Sequence, residues 1–287
     1  MIWMCPHCAQ PLEAGEPGLL CVNGHRFDRA REGYVNLLPV QHKRSKNPGD
    51  NSEMVRGRRA LHQAQLYRPL AEALCDLVAT CRDVSTLLDI GCGEGYYDGM
   101  LSARLPGLSV YGVDIAKTAV RLAARDYRSQ HYAVASSRHL PVMTSSIDLA
   151  MCIFSPVNES EVARAVRPNG YYLEVGPAAQ HLWELKTALY EQPREHPLLR
   201  RTIPGGALVQ EGECHYEKQL TQTELQAVVA ATPFAFRGHR EKREALREQS
   251  DFVITLGFSW RLFRLAALRD TVASGAVLDD ALESTDL

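Results

Sequence analysis

The sequence lacks the features that would put it in several common classes. No uninterrupted apolar run approaches the ~18 residues of a membrane span, so no membrane partner is expected. The first residues, Met-Ile-Trp-Met-Cys-Pro, have no basic start and no long apolar stretch. They do not read as a secretory signal, and a cytoplasmic location is expected. Eight cysteines among 287 residues are too sparse for a disulfide scaffold. There is no internal repeat and no low-complexity tract. Neither charge sign is in excess: 32 Lys and Arg face 34 Asp and Glu, a net of −2, which taken alone discourages a polyanionic partner. What is present, 45% hydrophobic and 23% charged residues, excludes disorder throughout the chain. The length suits one large domain, or a domain of roughly 200 residues plus a small module.

The cysteines are unevenly placed. Three fall in the first 21 residues and His25 follows, in the spacing Cys5-x2-Cys8-x12-Cys21-x3-His25. Two close ligand pairs separated by a loop, with thiolate sulfur and imidazole nitrogen as donors, suit tetrahedral zinc. Pro6 shapes the first turn and Asn23-Gly24 the second. So short a segment has few large apolar residues, and metal binding would supply the missing folding energy. The competing readings are reduced structural cysteines or a redox pair. His7 is an alternative nitrogen ligand, but it lies between two others and would strain the chelate. Cys75, Cys81, Cys152 and Cys214 read as small buried hydrophobes.

Composition divides the chain into residues 1–34, the cysteine module; 35–83, a basic connector running into a helix; 84–263, alternating strand-like and helix-like segments; and 264–287, a helix with an acidic, frayed tail. In the connector, residues 41–49 read as a basic loop closed by Pro48-Gly49, and Asp50 with Glu53 suggests a capping box for the next helix. From residue 85 the pattern becomes strand–helix repeats: Thr86–Ile90, Ser109–Asp114, Tyr132–Ala135, Ile147–Phe154 and Tyr171–Val175, with helices near 116–127 and 159–166. Such repeats predict an α/β, doubly wound, Rossmann-like sheet.

Where the first strand turns into the first helix stands Leu88-Asp89-Ile90-Gly91-Cys92-Gly93-Glu94-Gly95, and Asp114 ends the next strand 19 positions after Gly95. Glycines there let the backbone approach a ligand, and a carboxylate at the second strand end can accept both ribose hydroxyls. A dinucleotide site wants G-x-G-x-x-G and a helix start open to pyrophosphate. Here the pattern is G-x-G-x-G, and Asp89 and Glu94 would repel phosphate. A cationic amino-acid nucleoside fits better, which points to S-adenosylmethionine and a class I methyltransferase. Class I enzymes place an acidic residue after the third strand for the adenine amino group; the register here puts Ser136 there.

The near-zero net charge conceals an asymmetry. Residues 26–68 hold ten basic residues against four acidic ones, a local +6, which leaves −8 elsewhere. Local clusters of this kind carry polyanion affinity through counterion release, although a charge run is also what a solvated face looks like.

The chain resembles the bacterial large-subunit ribosomal RNA guanine-N1 methyltransferases of the RlmA type. The resemblance rests on the Cys5/Cys8/Cys21/His25 module, Phe27-Asp28, Arg31 to Gln41, Asn47-Pro48-Gly49-Asp50, Arg58-Arg59-Ala60, Tyr67, Asp89 to Tyr97, Ala135-Ser136-Ser137, His181-Leu182-x-Glu184-Leu185-Lys186 and Thr232-Pro233-Phe234, and runs from Cys5 to about residue 260. It implies zinc at the four N-terminal ligands and S-adenosylmethionine contacts at Tyr67, Gly93, Glu94 and His181. It also implies a guanine in a hairpin loop of the large-subunit (23S) RNA as acceptor, and a homodimer.

Guanine N1 carries a proton that must leave, so a general base is needed. Glu184 stands three residues after His181 on one expected helix face, beside the expected cofactor mouth, and is the candidate; the bland alternative is that it pairs with a surface base. Ser155-Pro156 partly resembles the polar–Pro turn that lines the acceptor pocket of amino-directed methyltransferases, and Tyr34, Tyr96 and Tyr97 could stack on a base. The competing functions are a methyltransferase for a small molecule and a non-catalytic zinc RNA-binding protein.

Overall fold

A computed structural model describes residues 1–42, 48–232 and 240–266. The first 34 residues form a small antiparallel sheet, β1 (Leu12–Ala14), β2 (Gly18–Cys21) and β3 (Arg26–Asp28). Next comes β4 (Val35–Asn36), then α1 (Ser52–Gln63) and α2 (Arg68–Thr80). Asn51, not Asp50, caps α1: its side chain accepts from the amides of Glu53 and Met54, both at 2.9 Å. Asp50 instead pairs with Arg58 at 2.7 Å.

The strand–helix repeats expected from the sequence are present. β5 (Thr86–Ile90), β6 (Ser109–Asp114), β7 (His131–Val134), β8 (Ile147–Ile153) and β9 (Val166–Pro177) pair in parallel, with α3 (Tyr96–Arg104), α4 (Lys117–Asp126) and α5 (Glu159–Ala165) as crossovers. Leu87, Leu88, Ile90, Leu149, Ala150 and Met151 are fully buried because helices cover one face and α5 with the N-terminal module covers the other. Then α6 (Trp183–Leu189), β10 (Gly206–Leu220), α7 (Gln222–Ala231), α8 (Arg240–Arg247) and β11 (Phe252–Leu265) complete the domain. β11 runs antiparallel between β9 and β10, so the order is β10-β11-β9-β8-β5-β6-β7-β4. Nucleotide ligands of such sheets sit at the carboxyl ends of the parallel strands, near the point where strand order reverses beside β5.

The divisions read at residues 34 and 83 are not gaps in packing. Ile2, Trp3, Leu12 and Leu19 belong to one apolar cluster with Leu88, Ile90 and Tyr111 of the large sheet and with Val142, which bridges to Trp3. Trp3 meets Tyr111 edge-on at 5.4 Å, and Met4 and Met143 exchange backbone bonds with Pro141 and Ile2 at 2.8 Å. β4 extends the sheet beside β7. α1 packs tightly on α7, since a Cβ at Gly57 would stand 2.7 Å from the Ala230–Ala231 backbone. The tail helix expected after residue 264 lies outside the described residues beyond 266, and so does most of the basic loop, residues 43–47. Among the described residues, no helix is long and apolar enough to cross a membrane.

Candidate functional site

The metal centre is local. Donor atoms of Cys5, Cys8, Cys21 and His25 lie within 4.8 Å of one another. Cys8 Sγ stands 3.2 Å from Cys21 Sγ, and His25 Nδ1 stands 3.5 Å from both Cys5 Sγ and Cys8 Sγ. Ligands bound to zinc at about 2.0–2.3 Å in a tetrahedron stand about 3.3–3.8 Å apart, so the set fits that ion. The Gln10 amide holds the Cys8 thiol down to about 6, which favours the thiolate a metal needs. His7 is exposed and stacks on Phe27 at 5.9 Å, which leaves the fourth position to His25.

At the carboxyl ends of the strands lie two adjoining cavities, of about 270 and 550 Å³. The first holds Tyr67, Asp89, Gly93, Glu94 and His181; the second holds Asp114 and Ser136; Gly91 lines both. Gly95 lies just behind, at the start of α3 with φ 79°, where a Cβ would stand 2.7 Å from Tyr132 Oη. The structure thus brings the expected cofactor residues together around one cleft.

Each has a physical reason for its place. A Cβ on Gly91 would overlap Ser155 Oγ, so glycine lets the β8 turn close on the loop. Gly93, at φ 55°, has open space where a Cβ would be, a face a ligand can approach. Asp114 accepts from Gly93 N at 3.0 Å and Ala116 N at 2.7 Å, and each oxygen keeps a lone pair for a hydroxyl. Beneath the loop, Asp89 Oδ1 and both oxygens of Asp98 are buried with no well-formed donor. Burial, and then the facing Asp98, raise Asp89 well above the usual carboxylate range; burial pushes Asp98 up to about 7. An unpaired, buried acid on the wall of a cavity suits a cation, here the ammonium of an amino-acid nucleoside, so the residues fit S-adenosylmethionine.

The far wall is aromatic. The Gly257 amide donates to His181 Nδ1 at 3.3 Å, so the proton of the neutral ring sits on Nε2, which reaches Tyr67 Oη at 3.4 Å. Burial first, then His196 and Lys186, hold His181 down to about 3. Glu94 is clasped from α1: Arg59 reaches it at 3.1 Å and His62 at 3.0 Å, while Arg59 also holds Asp126 at 2.8 Å. His62 stacks flat on Tyr96 at 4.2 Å.

Glu184 is elsewhere. Leu182, at φ 56°, starts α6 after His181, so the two do not share a helix face. Both Glu184 oxygens are occupied, accepting from Thr255 N at 2.8 Å and Thr255 Oγ1 at 2.7 Å, and the residue lines neither cavity. It ties α6 to β11. Sequence reasoning missed Arg59, His62, Asp98 and Phe154. Only the Arg58-Arg59 pair carried a signal, and it reads as part of a solvated basic face. In the structure Arg58, Arg59 and Arg68 are paired internally, so part of the +6 is spent inside the protein.

Comparison with known proteins adds a second line. Residues 3–46 match the family described as RlmA, N-terminal, a zinc ribbon, and residues 87–170 match the one described as Methyltransferase domain. A Streptomyces fradiae protein, 23S rRNA (guanine(748)-N(1))-methyltransferase, is 33% identical over 251 residues, 85% of this chain and 88% of that one. A Bacillus subtilis protein carried as a candidate 23S rRNA (guanine-N(1)-)-methyltransferase is 27% identical over 269 residues, 89% of this chain and 94% of its own. Among solved structures, the YcgJ protein of Bacillus subtilis is similar at a TM-score of 0.46 and 18% identity, over 68% of this chain and 98% of its own.

Proposed function

The chain belongs to the 23S rRNA (guanine-N1)-methyltransferase family, and we propose that it methylates N1 of a guanine in a hairpin loop of the large-subunit RNA. S-adenosylmethionine supplies the electrophilic methyl, and zinc holds the N-terminal module. The observation that carries the reading is the double cavity at the strand ends, with unpaired Asp89 on one side and Asp114 on the other.

In this reading Asp89 faces the ammonium, Gly93 lets the cofactor approach, Asp114 takes the ribose hydroxyls and Ser136 lies at the adenine end. Tyr67 and neutral His181 wall the methionine side, and Glu94, fixed by Arg59 and His62, closes it. A neutral His181 avoids placing a second positive charge beside a sulfonium. The protein's work is alignment and exclusion of water rather than bond chemistry of its own. Guanine N1 lies on the Watson–Crick edge, so the acceptor is a loop base or one turned out of a stack. The exposed Arg26 and Arg56 supply sequence-independent RNA contacts in this proposal, with the protein acting in the cytoplasm as a homodimer.

The test is primer extension on large-subunit RNA from cells lacking the modification, after incubation with labelled S-adenosylmethionine. A methyl on N1 blocks pairing, so one new stop in a hairpin loop is expected. Label recovered only in a small-molecule fraction would replace this reading with the small-molecule methyltransferase, and cofactor binding without transfer would leave a non-catalytic RNA-binding protein. Light scattering tests the dimer by a mass twice the 31.9 kDa of one chain.

A further inference from the structure

Among the described residues, five line both cavities: Asp50, Arg58, Gly91, Ile153 and Phe154. If the amino-acid end of the cofactor lies toward Asp89 and the ribose toward Asp114, the sulfonium that joins them sits at this junction, and so does the acceptor nitrogen. Guanine N1 chemistry makes three demands there. The N1–H needs an acceptor, the negative charge that develops on O6 as N1 loses its proton needs a cation, and the ring needs a flat surface to lie on.

Among the described residues four carboxylates line the two cavities, and three have other roles: Asp89 faces the cofactor ammonium in the reading above, and Glu94 and Asp114 are held by hydrogen bonds. Asp89 is 2% exposed and shares its burial with Asp98 beneath the loop. Both Glu94 oxygens are held by Arg59 and His62, and both Asp114 oxygens by backbone amides. Asp50 remains. Its ion pair with Arg58, at 2.7 Å, uses one oxygen, Oδ2. It is not consumed as a helix cap, because Asn51 takes that role. The backbone fixes its position: Gly49, at φ 85°, lies so close to the start of α4 that a Cβ would stand 2.8 Å from Ile115 Cγ2 and 3.1 Å from Ala116 N. Among the described residues, Phe154 is the one aromatic ring that lines both cavities. It is 38% exposed, with a left-handed backbone at φ 54°, an uncommon conformation for a bulky residue that the β8 turn maintains through Phe154 N donating to Val175 O at 3.0 Å.

We propose that Asp50 is the general base for guanine N1, that Arg58 stabilises the charge developing on O6, and that Phe154 is the platform under the ring. The assignment rests on the guanine-N1 activity proposed above. In the step, the N1–H bond breaks toward an Asp50 oxygen. The electron pair left on N1 forms the N–CH3 bond, and the S–CH3 bond breaks with its pair on sulfur, so a sulfonium becomes a thioether. The proton then leaves Asp50, whose side chain is 26% exposed, for solvent. Among the described residues, the charged and titratable groups that line these cavities with Asp50 include Arg58 from α1, Asp114 from β6, His42, Arg138 and His139 around the second, and His62, Asp89, Glu94, His181 and His196 in the first.

The experiment is single-turnover methylation of the hairpin RNA at saturating cofactor, from pH 6.5 to 9.5, for wild type, Asp50→Asn and Arg58→Gln, with cofactor affinity measured by calorimetry. Asp50→Asn is expected to lower the rate at pH 7 by about 10²–10³-fold. Its rate should then climb about tenfold per pH unit as the base itself gives up N1–H, more steeply than wild type. A 6-thioguanine at the target, with its more acidic N1, should restore much of the rate to Asp50→Asn. An Asp50→Asn rate equal to wild type, or one reduced equally at every pH and not restored by thioguanine, would overturn the assignment. If Asp50→Asn does not fold, Arg58→Gln carries the test: a rate loss relieved by thioguanine supports the pair, and an unchanged rate overturns it. Wild type that transfers no methyl to RNA would overturn the activity itself rather than this assignment.

Discussion

The metal centre and the cofactor cleft are built on opposite principles. The zinc ligands come from one stretch of 21 residues, and their spacing in the chain is nearly their arrangement in space. The cleft draws on residues from Gln41 to Thr232, and its residues meet only because the sheet brings strand ends together and α1 folds across them. The first site depends on metal for stability, the second on the sheet beneath it. A short-range site is therefore sensitive to one ligand, and a long-range one is graded, each residue removing a part.

The largest effect is expected from breaking the metal centre. Cys21→Ser, or zinc removal by chelation, exposes the apolar face that Trp3 and Leu19 share with the sheet. A loss of several kcal/mol moves the unfolding midpoint of a chain this size by about 10 °C or more, readable by calorimetry. Cofactor affinity of the surviving folded protein should change far less, and an equal collapse of both would end the distinction between the two sites. Within the cleft, Asp89→Asn removes a charged partner of the ammonium, and calorimetry should find S-adenosylmethionine bound about 10–100-fold more weakly.

Asp98→Asn sharpens the comparison through pH. Asp98, raised by burial, gives the cofactor-free protein stability that is complete below the ordinary carboxylate range and is lost as pH rises through about 7. Asp98→Asn should therefore be relatively more stable than wild type at pH 8. A cation favours the ionised Asp89–Asp98 pair, so wild-type affinity for S-adenosylmethionine should increase from pH 6 to 8 and release protons, seen as buffer-dependent heat. The variant should show a flatter profile, and identical profiles would remove the pair from cofactor binding. The smallest effect is expected from Glu184→Gln. Weakening its hold on Thr255 should cost about 1 kcal/mol of stability and leave turnover within about twofold; a large loss of turnover at unchanged stability would return Glu184 to the chemistry.

The same contrast explains what the sequence disclosed. The zinc set, the glycine loop and β5, β6, β8 and β9 are legible because each signal is local: ligand spacing, a glycine run, short apolar stretches between turns. β10 is not, because Gly206–Leu220 is largely exposed and mixes charged with apolar residues, so nothing marks it as strand until β11 pairs along it. Asp50 and Arg58 lie eight residues apart, but their common purpose appears only where two cavities meet. Arg59 and Glu94 are 35 positions apart and Asp89 and Asp98 are joined by burial, so no window of sequence shows either pair. Glu184 went astray for a related reason. Spacing put it near His181, but the left-handed Leu182 turns the helix away from the cleft.

The central claim is that this cleft delivers a methyl to guanine N1 of ribosomal RNA. Nucleoside mass spectrometry of unmodified large-subunit RNA, treated with the zinc-loaded protein and S-adenosylmethionine, tests it most directly. The account predicts 1-methylguanosine approaching one per RNA molecule, absent without the cofactor. A methyl on another atom or another base, or no new methylated nucleoside from protein shown to bind S-adenosylmethionine, would contradict it.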